Sequence, residues 1–501
     1  MSKMSRLFSA SLNGLDAITV DIESTFTNGL PSFSIVGLAN TAIQESKDRI
    51  KSALLTNDFQ FPPKRITINL SPSEVVKKGS HMDCAIALSI ALHNKQIDFE
   101  DFYIFGELGL NGHMKDTNHM FVLILSLMRQ GIIKNVLIPK ESIDKISNIP
   151  NLNIYAVDNL NEAIEMFLSN NKDKYKIQNK TFQYKKIIIN NQEYYYDTTY
   201  IQDFADVKGQ PRAKRAALIA AAGNHNIIFE GSPGCGKSMI TKRLQYIMPP
   251  MSINEILDKA KLDSLENKTP TFAPIRPFIS PHHSSTKASI IGGTQIGQIA
   301  LCNNGILFFD ELPHFSKNIL ESLREPLEDF NILVSRVNTK IKYPTKFLFV
   351  SAMNPCPCGN LLSKTKECRC NELEIKRYKN RLSDPFLDRI DLYLTMNEVS
   401  QDDIADTNSK TLHQQVINAF ILQKQRGQTE LNGKLNEQDI KKYCSLNPTC
   451  EDILNKAIET FSLSFRAINK ILKVSRTIAD LDNSINILDK HILEAISYRY
   501  R

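Results

Sequence analysis

The sequence has no tryptophan, no long apolar run and no leader-like start. The longest strongly apolar run is Phe121–Met128, far short of the ~20 residues that a membrane-spanning helix needs. Met1–Ala10 has no long apolar stretch behind its charges, so we expect no secretory signal and a cytoplasmic protein. Because Lys, Ile and Asn are abundant, we attribute the missing tryptophan to an AT-rich coding genome, and it excludes no function.

Length and composition are those of an ordinary globular protein. A prior of roughly 150 residues per domain predicts about three domains for 501 residues. The 42% apolar and 23% charged residues exclude a collagen-like, disordered or disulfide-scaffold protein. Because we expect no export, the nine cysteines are not expected to form structural disulfides. The net charge of +7 permits binding to nucleic acid without requiring it.

The amino-terminal part of the sequence mixes strand and helix patterns. Segments that alternate apolar and polar residues predict three strands: Ala17–Ile22, Ser32–Val36 and Arg65–Leu70. Asn40–Leu55 has the spacing of an amphipathic helix, with Asn40 as its N-cap. We therefore expect an α+β domain over residues 1–168, followed by a Lys-, Asn- and Tyr-rich linker over 169–200.

Beyond residue 200, buried strands alternate with helices. Short apolar runs bounded by turn residues predict three strands: Asn226–Glu230, Gly305–Asp310 and Thr345–Ser351. Such strands usually form a parallel sheet covered by helices on both faces, and we expect this domain to span 201–400. Residues 401–501 read mostly as helix, so the chain is predicted to be an α/β multidomain protein.

The segment Gly231–Ser238 fits the phosphate-binding pattern G-x-x-x-x-G-K-[ST]. It follows a predicted strand and opens a predicted helix, which is the context that makes the motif specific. The glycines let main-chain N–H groups surround phosphates at a helix N-terminus. We expect Lys237 to reach the β- and γ-phosphates and Ser238 to bind Mg²⁺. The whole segment is predicted to bind ATP: Gly231, Ser232, Pro233, Gly234, Cys235, Gly236, Lys237 and Ser238.

Two carboxylates and an amide follow the next predicted strands. Asp310 and Glu311 stand at the carboxyl end of a buried strand, where ligands bind in open α/β sheets. We predict that Asp310 holds Mg²⁺, directly or through water, and that Glu311 polarises the attacking water as general base. Asn354 could reach the γ-phosphate and that water; the alternative is an Asn in a turn before Pro355.

Two arginines are candidates for stabilising the transition state. Phosphoryl transfer needs positive charge there, and in many ATPases a neighbouring subunit supplies it as an arginine. Arg389, within Arg381–Asp391, is the first candidate. Arg466, at the start of the predicted last amphipathic helix, is the second. For each arginine the alternative is a surface salt bridge.

Four cysteines form the pattern C-x-C-x9-C-x-C: Cys356, Cys358, Cys368 and Cys370. Four thiolates can close a tetrahedral structural Zn²⁺ site, although the usual spacing is C-x₂-C. The alternative is four reduced thiols in a loop. If zinc binds, we expect it to brace the loop after Asn354 and to play no part in hydrolysis.

Three basic surfaces are candidates for contacting DNA. Asn331–Tyr343 alternates around Asn338-Thr339, which predicts a β-hairpin whose basic residues could grip phosphates without reading sequence: Arg336, Lys340 and Lys342. The insertion Ile279–Gly293 is the second. The helix from Arg466 has a basic face that suits a subunit interface as well as DNA: Lys470, Lys473 and Arg476. For the hairpin and the insertion the alternative is a solvated, charged loop.

The order of these motifs resembles the magnesium-chelatase-like group of AAA+ ATPases. The chain is most similar within that group to the ComM/YifB family of competence and DNA-recombination ATPases. The segments that carry the resemblance cover nearly the whole chain: Asn28–Leu38, Phe61–Ser71, Asp203–Gln210, Arg276–Ser284, Met353–Gly359 and Lys473–Leu481.

The resemblance implies a fold for each part of the chain. It implies a ribosomal-S5/Lon-protease-like domain over 1–168, an AAA+ core with β-hairpin insertions over 201–400, and a helical lid of the magnesium-chelatase type over 401–501. It also implies a homohexamer, with no membrane partner, that moves on single-stranded or branched DNA and drives branch migration of recombination intermediates. In that ring Arg389 would be the finger acting in trans, Asn354 sensor 1 and Arg466 sensor 2.

Two other functions stay open. One is a metal-chelatase-type or chaperone-like ATPase that remodels a partner protein; the S5-like domain argues against it, because chelatase ATPase subunits lack one. The other is an ATP-dependent protease. Ser80 is present, but the Lon-type pattern is not, and Phe121 stands where a lysine base is expected. We therefore expect the first domain to be a ring-stabilising or DNA-contacting scaffold.

Overall fold

The fold was analysed in a computed structural model, which describes residues 6–95, 97, 99, 101–169, 171–336, 339–400 and 403–499. The chain divides into two compact units, residues 1–183 with 260–272 and residues 184–259 with 273–501. No helix within the described ranges is both long enough and apolar enough to cross a bilayer.

The first unit is built on an eight-stranded sheet of order β10-β9-β8-β5-β1-β2-β4-β3. Its strands, with the separate pair β6–β7, are β1 (Arg6–Asn13), β2 (Asp16–Thr27), β3 (Ser32–Val36), β4 (Arg65–Ser71), β5 (Phe102–Ile104), β6 (Glu107–Leu108), β7 (Met114–Lys115), β8 (Asn135–Pro139), β9 (Asn153–Val157) and β10 (Lys176–Ile177). Its helices are α1 (Thr41–Thr56), α2 (Asp83–Ala91), α3 (Met120–Arg129), α4 (Ile143–Ile146) and α5 (Leu160–Leu168).

The alternation in the sequence places one face of this sheet in the core. Ile66, Ile68 and Leu70 of β4 are fully buried, and the residues between them are partly exposed. Asn40 caps α1, since its side chain accepts a hydrogen bond from the main-chain N–H of Ile43 at 3.2 Å. The three strands and the capped helix predicted for this part of the chain are confirmed.

The second unit contains a parallel five-stranded sheet of order β15-β16-β19-β13-β20. The strands of this unit are β11 (Lys185–Ile189), β12 (Gln192–Tyr196), β13 (Ile227–Gly231), β14 (Met251–Ser252), β15 (Phe278–Ile279), β16 (Ile306–Phe309), β17 (Asn331–Arg336), β18 (Thr339–Pro344), β19 (Leu348–Met353) and β20 (Leu392–Met396). The strands β13, β16 and β19 are fully buried, which confirms the three predicted strands. The observed β19 begins and ends two or three residues later than predicted.

The helices after residue 200 include those that pack on this sheet and those of the carboxyl-terminal part, and the helix Ile253–Leu265 lies partly in the residue range of each unit. They are α6 (Pro211–Gly223), α7 (Lys237–Leu244), α8 (Ile253–Leu265), α9 (Lys287–Ile291), α10 (Gln298–Leu301), α11 (Lys317–Ser322), α12 (Arg324–Asp329), α13 (Glu372–Lys379), α14 (Asp384–Leu387), α15 (Ser409–Gln425), α16 (Glu437–Tyr443), α17 (Pro448–Phe461), α18 (Phe465–Leu481) and α19 (Asp489–Ser497). The prediction that the helix from Arg466 is the last one is wrong, because α19 follows it. Ile492 and Ala495 of α19 are buried in the core of the second unit, but so short a helix has little periodicity to find in the sequence.

Residues 169–200, predicted as a linker, contain regular structure. Lys172–Tyr175 is a 3-10 helix, and β10, β11 and β12 follow it. The strands β11 and β12 pair with each other, and Ile189 and Tyr194 are buried against Phe420. The sequence of this segment shows no clear alternation of apolar and polar residues. Its strands were missed because one side of the hairpin is buried only by contacts with distant residues.

Candidate nucleotide-binding site

The segment Gly231–Ser238 forms a loop between β13 and α7, as predicted. Gly234 and Gly236 have φ angles of 83° and 93°, a left-handed backbone that favours glycine. A β carbon at either position would meet no heavy atom within 4 Å, so the loop borders open space. Because α7 begins at Lys237, its free main-chain N–H groups and dipole face that space, which is the arrangement of an anion site.

The ammonium group of Lys237 joins the loop to the end of β19. Its Nζ donates to the carbonyls of Gly231 at 2.6 Å and Ser232 at 3.0 Å, and to Oδ1 of Asn354 at 3.2 Å. The side chain is 9% exposed. Lys237 and Asn354 are 117 positions apart in the chain, and the fold brings their side chains into hydrogen-bond contact.

The predicted magnesium ligands also meet. The hydroxyl of Ser238, in the first turn of α7, donates to Oδ2 of Asp310 at 3.2 Å, and Asp310 directly follows β16. Oxygen donors of this kind suit Mg²⁺, which prefers one or two protein oxygens together with phosphate and water ligands. The residues present therefore fit a magnesium ion at this position.

Glu311 follows Asp310 and is exposed. Its backbone is left-handed, with φ of 54°, a conformation that costs a non-glycine residue of order 1–3 kcal/mol and recurs at functional sites. Its main-chain N–H donates to Oδ1 of Asp310 at 3.0 Å. The carboxylate of Asp310 lies by Ser238, and the exposed side chain of Glu311 can contact water.

Two contacts around the site involve residues that sequence reasoning missed. Tyr378 of α13 hydrogen-bonds the main chain of Asn354, and burial raises the pKa of its hydroxyl to about 12. Glu230, the residue before the loop, is 5% exposed. Its carboxylate accepts from the Tyr393 hydroxyl at 2.9 Å and pairs with Lys379 at 3.0 Å. No local pattern marks these residues, because their partners come from distant segments.

The two candidate arginines meet each other rather than this loop. Arg389 and Arg466 both form ion pairs with Glu328 of α12, and the Arg466 Nη2–Glu328 Oε1 distance is 2.7 Å. Arg389 also donates to the main-chain carbonyl of Arg324 at 3.2 Å. Within the described ranges, neither guanidinium bonds to Lys237 or to the magnesium ligands of its own chain.

The four cysteines predicted as a zinc site come together. Their Sγ atoms all lie within 4.8 Å of one another, and three pairs are 3.4–3.7 Å apart. Four sulfurs at Zn–S bonds of about 2.3 Å would be separated by about 3.8 Å, so the set fits a tetrahedral zinc ion. Hydrogen bonds from the main-chain N–H groups of Asn360 and Arg369 lower the pKa of Cys358 to about 6, whereas burial and the neighbouring thiols raise the pKa values of Cys368 and Cys370.

The cysteine loop lies directly against the P-loop. Gly359 has a φ of 81°, and a β carbon there would stand 2.8 Å from Cδ of Pro233. Cys356 is fully buried two residues after Asn354. A metal held by these cysteines would therefore stabilise the segment that carries Asn354.

The predicted hairpin is confirmed as β17 and β18. Ile341 and Tyr343 of β18 are buried, whereas Lys340 and Lys342 are exposed. The turn residue Asn338 and the side chain of Arg336 lie outside what the structure describes. In the insertion, Lys287–Ile291 forms α9, and His282 and His283 are exposed.

The basic residues expected on one face of α18 bond to groups of their own chain. Lys470 donates to the carbonyl of Ile390 at 3.0 Å and Lys473 to that of Gly433 at 3.4 Å. Arg476 is 3% exposed and pairs with Asp480. Arg476 is therefore not available to DNA or to another subunit, whereas Lys470 and Lys473 remain partly exposed and their contact with either stays a prediction.

In the described residues of the first unit, no lysine lies beside Ser80 in the way that a Ser–Lys protease requires. The Ser80 hydroxyl bonds to Glu107, and the Lys77 ammonium bonds to the carbonyl of Pro72. Phe121 is fully buried and packs edge-on against Phe272. Its place in the core leaves no room there for a lysine base.

Family models and curated relatives cover nearly all of the chain. The model described as magnesium chelatase, subunit ChlI, matches residues 203–404; a second for subunit ChlI of Mg-chelatase matches 22–142, and one for the ChlI carboxyl-terminal part matches 406–499. The Competence protein ComM of Haemophilus influenzae is 35% identical, over 98% of this chain and 97% of its own length. YifB of Salmonella typhimurium is 36% identical, over 97% and 95%. A magnesium-chelatase subunit ChlI homolog of Methanocaldococcus jannaschii is 23% identical over 31% of this chain and 50% of its own.

Proposed function

The chain belongs to the ComM/YifB family of magnesium-chelatase-like proteins, and from that premise we propose that it is an ATP-driven motor acting on DNA. The observation that supports ATP hydrolysis is the convergence of Lys237, Asn354, Ser238 and Asp310 at one edge of a parallel sheet. A generic glycine-rich turn would not bring these partners together.

In this proposal some residues bind ATP and Mg²⁺, and others take part in the hydrolysis step. The main-chain N–H groups of the loop and Lys237 would bind the phosphates, and Ser238 and Asp310 would hold Mg²⁺. Magnesium, when bound, would neutralise charge that develops on the phosphates. Glu311 accepts a proton from the attacking water. Asn354 orients that water or the γ-phosphate, and its main-chain contact with Tyr378 holds it at the end of β19.

The positions of Arg389 and Arg466 support the proposal that the chain works as a ring of subunits. A guanidinium near the γ-phosphate is worth orders of magnitude in rate in related chemistry, yet Arg389 and Arg466 are bound to Glu328 and not to the P-loop of the same chain. We therefore assign both arginines to the nucleotide of a neighbouring subunit in a homohexamer.

The exposed lysines of β18 support DNA as the substrate. Lys340 and Lys342 point to solvent from a hairpin whose other face is buried, so a ring could present six copies of this pair to one strand. Contacts with phosphates are independent of base sequence and weaken with salt. One relative carries the name competence protein, and branch migration of recombination intermediates during DNA uptake is the activity that we propose for this chain.

The cysteine cluster has a structural part in this proposal. Zinc bound by Cys356, Cys358, Cys368 and Cys370 would tie the segment after Asn354 against Pro233. The ion would not contact the nucleotide, since all four ligand positions are filled by sulfur.

The test is the ATPase rate of the full chain with no DNA, with single-stranded DNA and with a four-way junction, over a salt series. We expect DNA to raise the rate, and the increase to fade with salt. Lys340→Gln with Lys342→Gln should remove the increase and keep the basal rate. Lys441→Gln with Lys442→Gln, two exposed lysines of α16, is the matched control. A junction-stimulated ATPase that moves no branch point would reject branch migration and leave a simpler translocase.

Remodelling of a partner protein is the second candidate, because three family models carry the magnesium-chelatase name. An ATPase that ignores every DNA but speeds up with a copurifying protein would favour this function. Loss of ATPase in Lys237→Ala is expected under both functions and shows only that the site is the one described.

A further inference from the structure

A cavity of about 610 Å³ lies in the second unit, away from the nucleotide site. Asn224, Asn304 and Lys346 line it and precede β13, β16 and β19 respectively. The P-loop and Asp310 follow the carboxyl ends of the same sheet, so the two sites lie at opposite ends of it. The β11–β12 hairpin and α15 supply further lining, through Tyr194 and Phe420.

Two of the four cations that line the cavity are neutralised by carboxylates. Arg276 pairs with Glu255 at 2.8 Å and also donates to the carbonyls of Pro249 and Pro250. Lys346 pairs with Glu430. These two ion pairs form polar parts of the lining that need no ligand.

The other two cations, Lys424 and Lys434, form no ion pair with a carboxylate in the described part of the chain. Lys434 is 6% exposed; its Nζ donates to Oδ1 of Asn226 at 3.2 Å and lies 5.3 Å from the ring centre of Phe330. Lys424 donates to the carbonyls of Gln428 and Thr429 at 3.2 and 2.6 Å. Burial lowers the pKa of Lys434 to about 8 and also lowers the pKa of Lys424. An anion would stabilise the buried ammonium of Lys434 and the half-buried ammonium of Lys424.

The cavity also offers an acceptor. Oδ1 of Asn224 is buried and has no hydrogen-bond partner among the described residues. A buried acceptor left unpaired costs about 1–3 kcal/mol. A ligand that donates a hydroxyl or amino hydrogen would remove this cost.

We propose that this cavity binds a small phosphorylated molecule with hydroxyl groups, of the size of a sugar phosphate or a nucleoside monophosphate. Lys424 and Lys434 supply positive charge for its phosphate, and a hydroxyl group donates to Asn224. Lysine binds phosphate as a point charge, and cavities of about 300–1,000 Å³ are the usual size for such ligands. This site is independent of the proposed ATPase and DNA activities.

The test uses ribose 5-phosphate as the probe and full-length Lys237→Ala, so that the P-loop does not compete. Calorimetry should show saturable binding that each of Lys424→Gln and Lys434→Gln weakens by roughly tenfold or more, the scale of a lost charged hydrogen bond. Lys441→Gln is the control and should bind as the parent does. Ribose without phosphate should bind at least as weakly as the lysine variants bind the phosphate.

A labelling experiment avoids reliance on buried substitutions. The aldehyde of pyridoxal 5′-phosphate condenses with a lysine amine and releases water, and borohydride then reduces the imine. In the Lys237→Ala chain with both cavity lysines intact, mass spectrometry should find label on Lys424 or Lys434, with protection by ribose 5-phosphate. Unchanged affinity in both variants, or label spread evenly over exposed lysines, would overturn the proposal. Protection by single-stranded DNA but not by ribose 5-phosphate would also overturn it, since the cavity would then contact nucleic acid.

Discussion

Arg389 and Arg466 meet at one carboxylate, that of Glu328. Arg389 comes from the segment after α14 and is largely buried, whereas Arg466 opens α18 and is 58% exposed. Two arginines predicted for different roles thus form one cationic group on one surface of the subunit. The carboxylate between them offsets their mutual repulsion and orients both guanidinium groups.

Glu328→Gln should therefore lower the ATPase rate of the assembled protein. The carboxylate is exposed to solvent, and exposed ion pairs contribute only about 0.2–1 kcal/mol each, so we expect a loss of roughly two- to tenfold. Glu325→Gln, an exposed glutamate of the same helix, is the control. We would measure kcat and KM for ATP separately, and we expect kcat to fall while KM stays unchanged. A rate equal to that of the control would show that Glu328 does not position the arginines.

Mixed rings should reveal whether Arg389 acts on a neighbour. Arg389→Ala and Lys237→Ala are each expected to lose most ATPase activity, because the first lacks the finger and the second lacks the phosphate-binding lysine. Combining them creates some sites with an intact loop beside an intact finger. We expect the mixture to exceed the sum of its parts. Additive rates in rings shown to exchange subunits would place Arg389 in cis.

Glu311→Gln should separate binding from hydrolysis. The amide keeps the size of the side chain but cannot accept a proton from water, so turnover should fall by about 10²–10⁴-fold. Equilibrium dialysis with ATP and Mg²⁺ should still show binding. Wild-type turnover in this variant would remove Glu311 as the base, whereas loss of binding would point to misfolding of the left-handed turn.

The cysteine cluster predicts about one zinc ion per chain. Elemental analysis of Cys358→Ala should find the metal largely lost. The melting temperature should fall, since metal that binds only the folded state stabilises it. Cys444→Ala removes a buried thiol elsewhere in the chain and should retain the metal. Metal-free wild-type protein, purified without chelator and with full ATPase activity, would leave the cluster as four reduced thiols.

Two buried groups in the first unit should respond to acid in opposite directions. Burial lowers the pKa of His81 from 6.5 to about 4 and raises the pKa of Asp83 from 3.8 to about 6. Between pH 6.5 and 4, His81 is protonated in the unfolded chain but stays neutral in the folded chain. Falling pH therefore lowers the free energy of unfolding over this range. Over nearly the same range the folded chain protonates Asp83 first, which stabilises it. Each effect amounts to about 3 kcal/mol, and the two offset each other.

Single substitutions should expose each effect. Between pH 6.5 and 4.5, His81→Gln should gain stability relative to wild type, and Asp83→Asn should lose it. The measurement is the urea midpoint of the first unit, followed by mass spectrometry of pulse-labelled peptides at a fixed labelling pH. Parallel pH profiles in the two variants would contradict this assignment.

Local patterns were enough to predict the nucleotide loop and its surroundings. Gly231–Ser238 forms its loop because each glycine is needed where it stands. Asp310 and Asn354 lie near the loop because parallel strands end at a common edge. The four cysteines cluster because they belong to one short segment. In contrast, the hairpin of β11 and β12 and the short helix α19 were missed, since only their contacts with distant residues bury their apolar sides.

The sequence by itself determined the strands with a clear alternating or apolar pattern, the capped helix α1, the position of the P-loop and the side chains that follow its neighbouring strands, because these depend on neighbours within a few residues. Tertiary structure alone decided that Arg389 and Arg466 share Glu328 and that Tyr378 bonds to the main chain of Asn354. It also decided that Lys470 and Lys473 donate to carbonyls of distant segments and that Lys424 and Lys434 line a cavity. Each of these contacts joins residues far apart in the chain. A long side chain can reach many possible partners, and the packing of the folded chain determines which one it contacts.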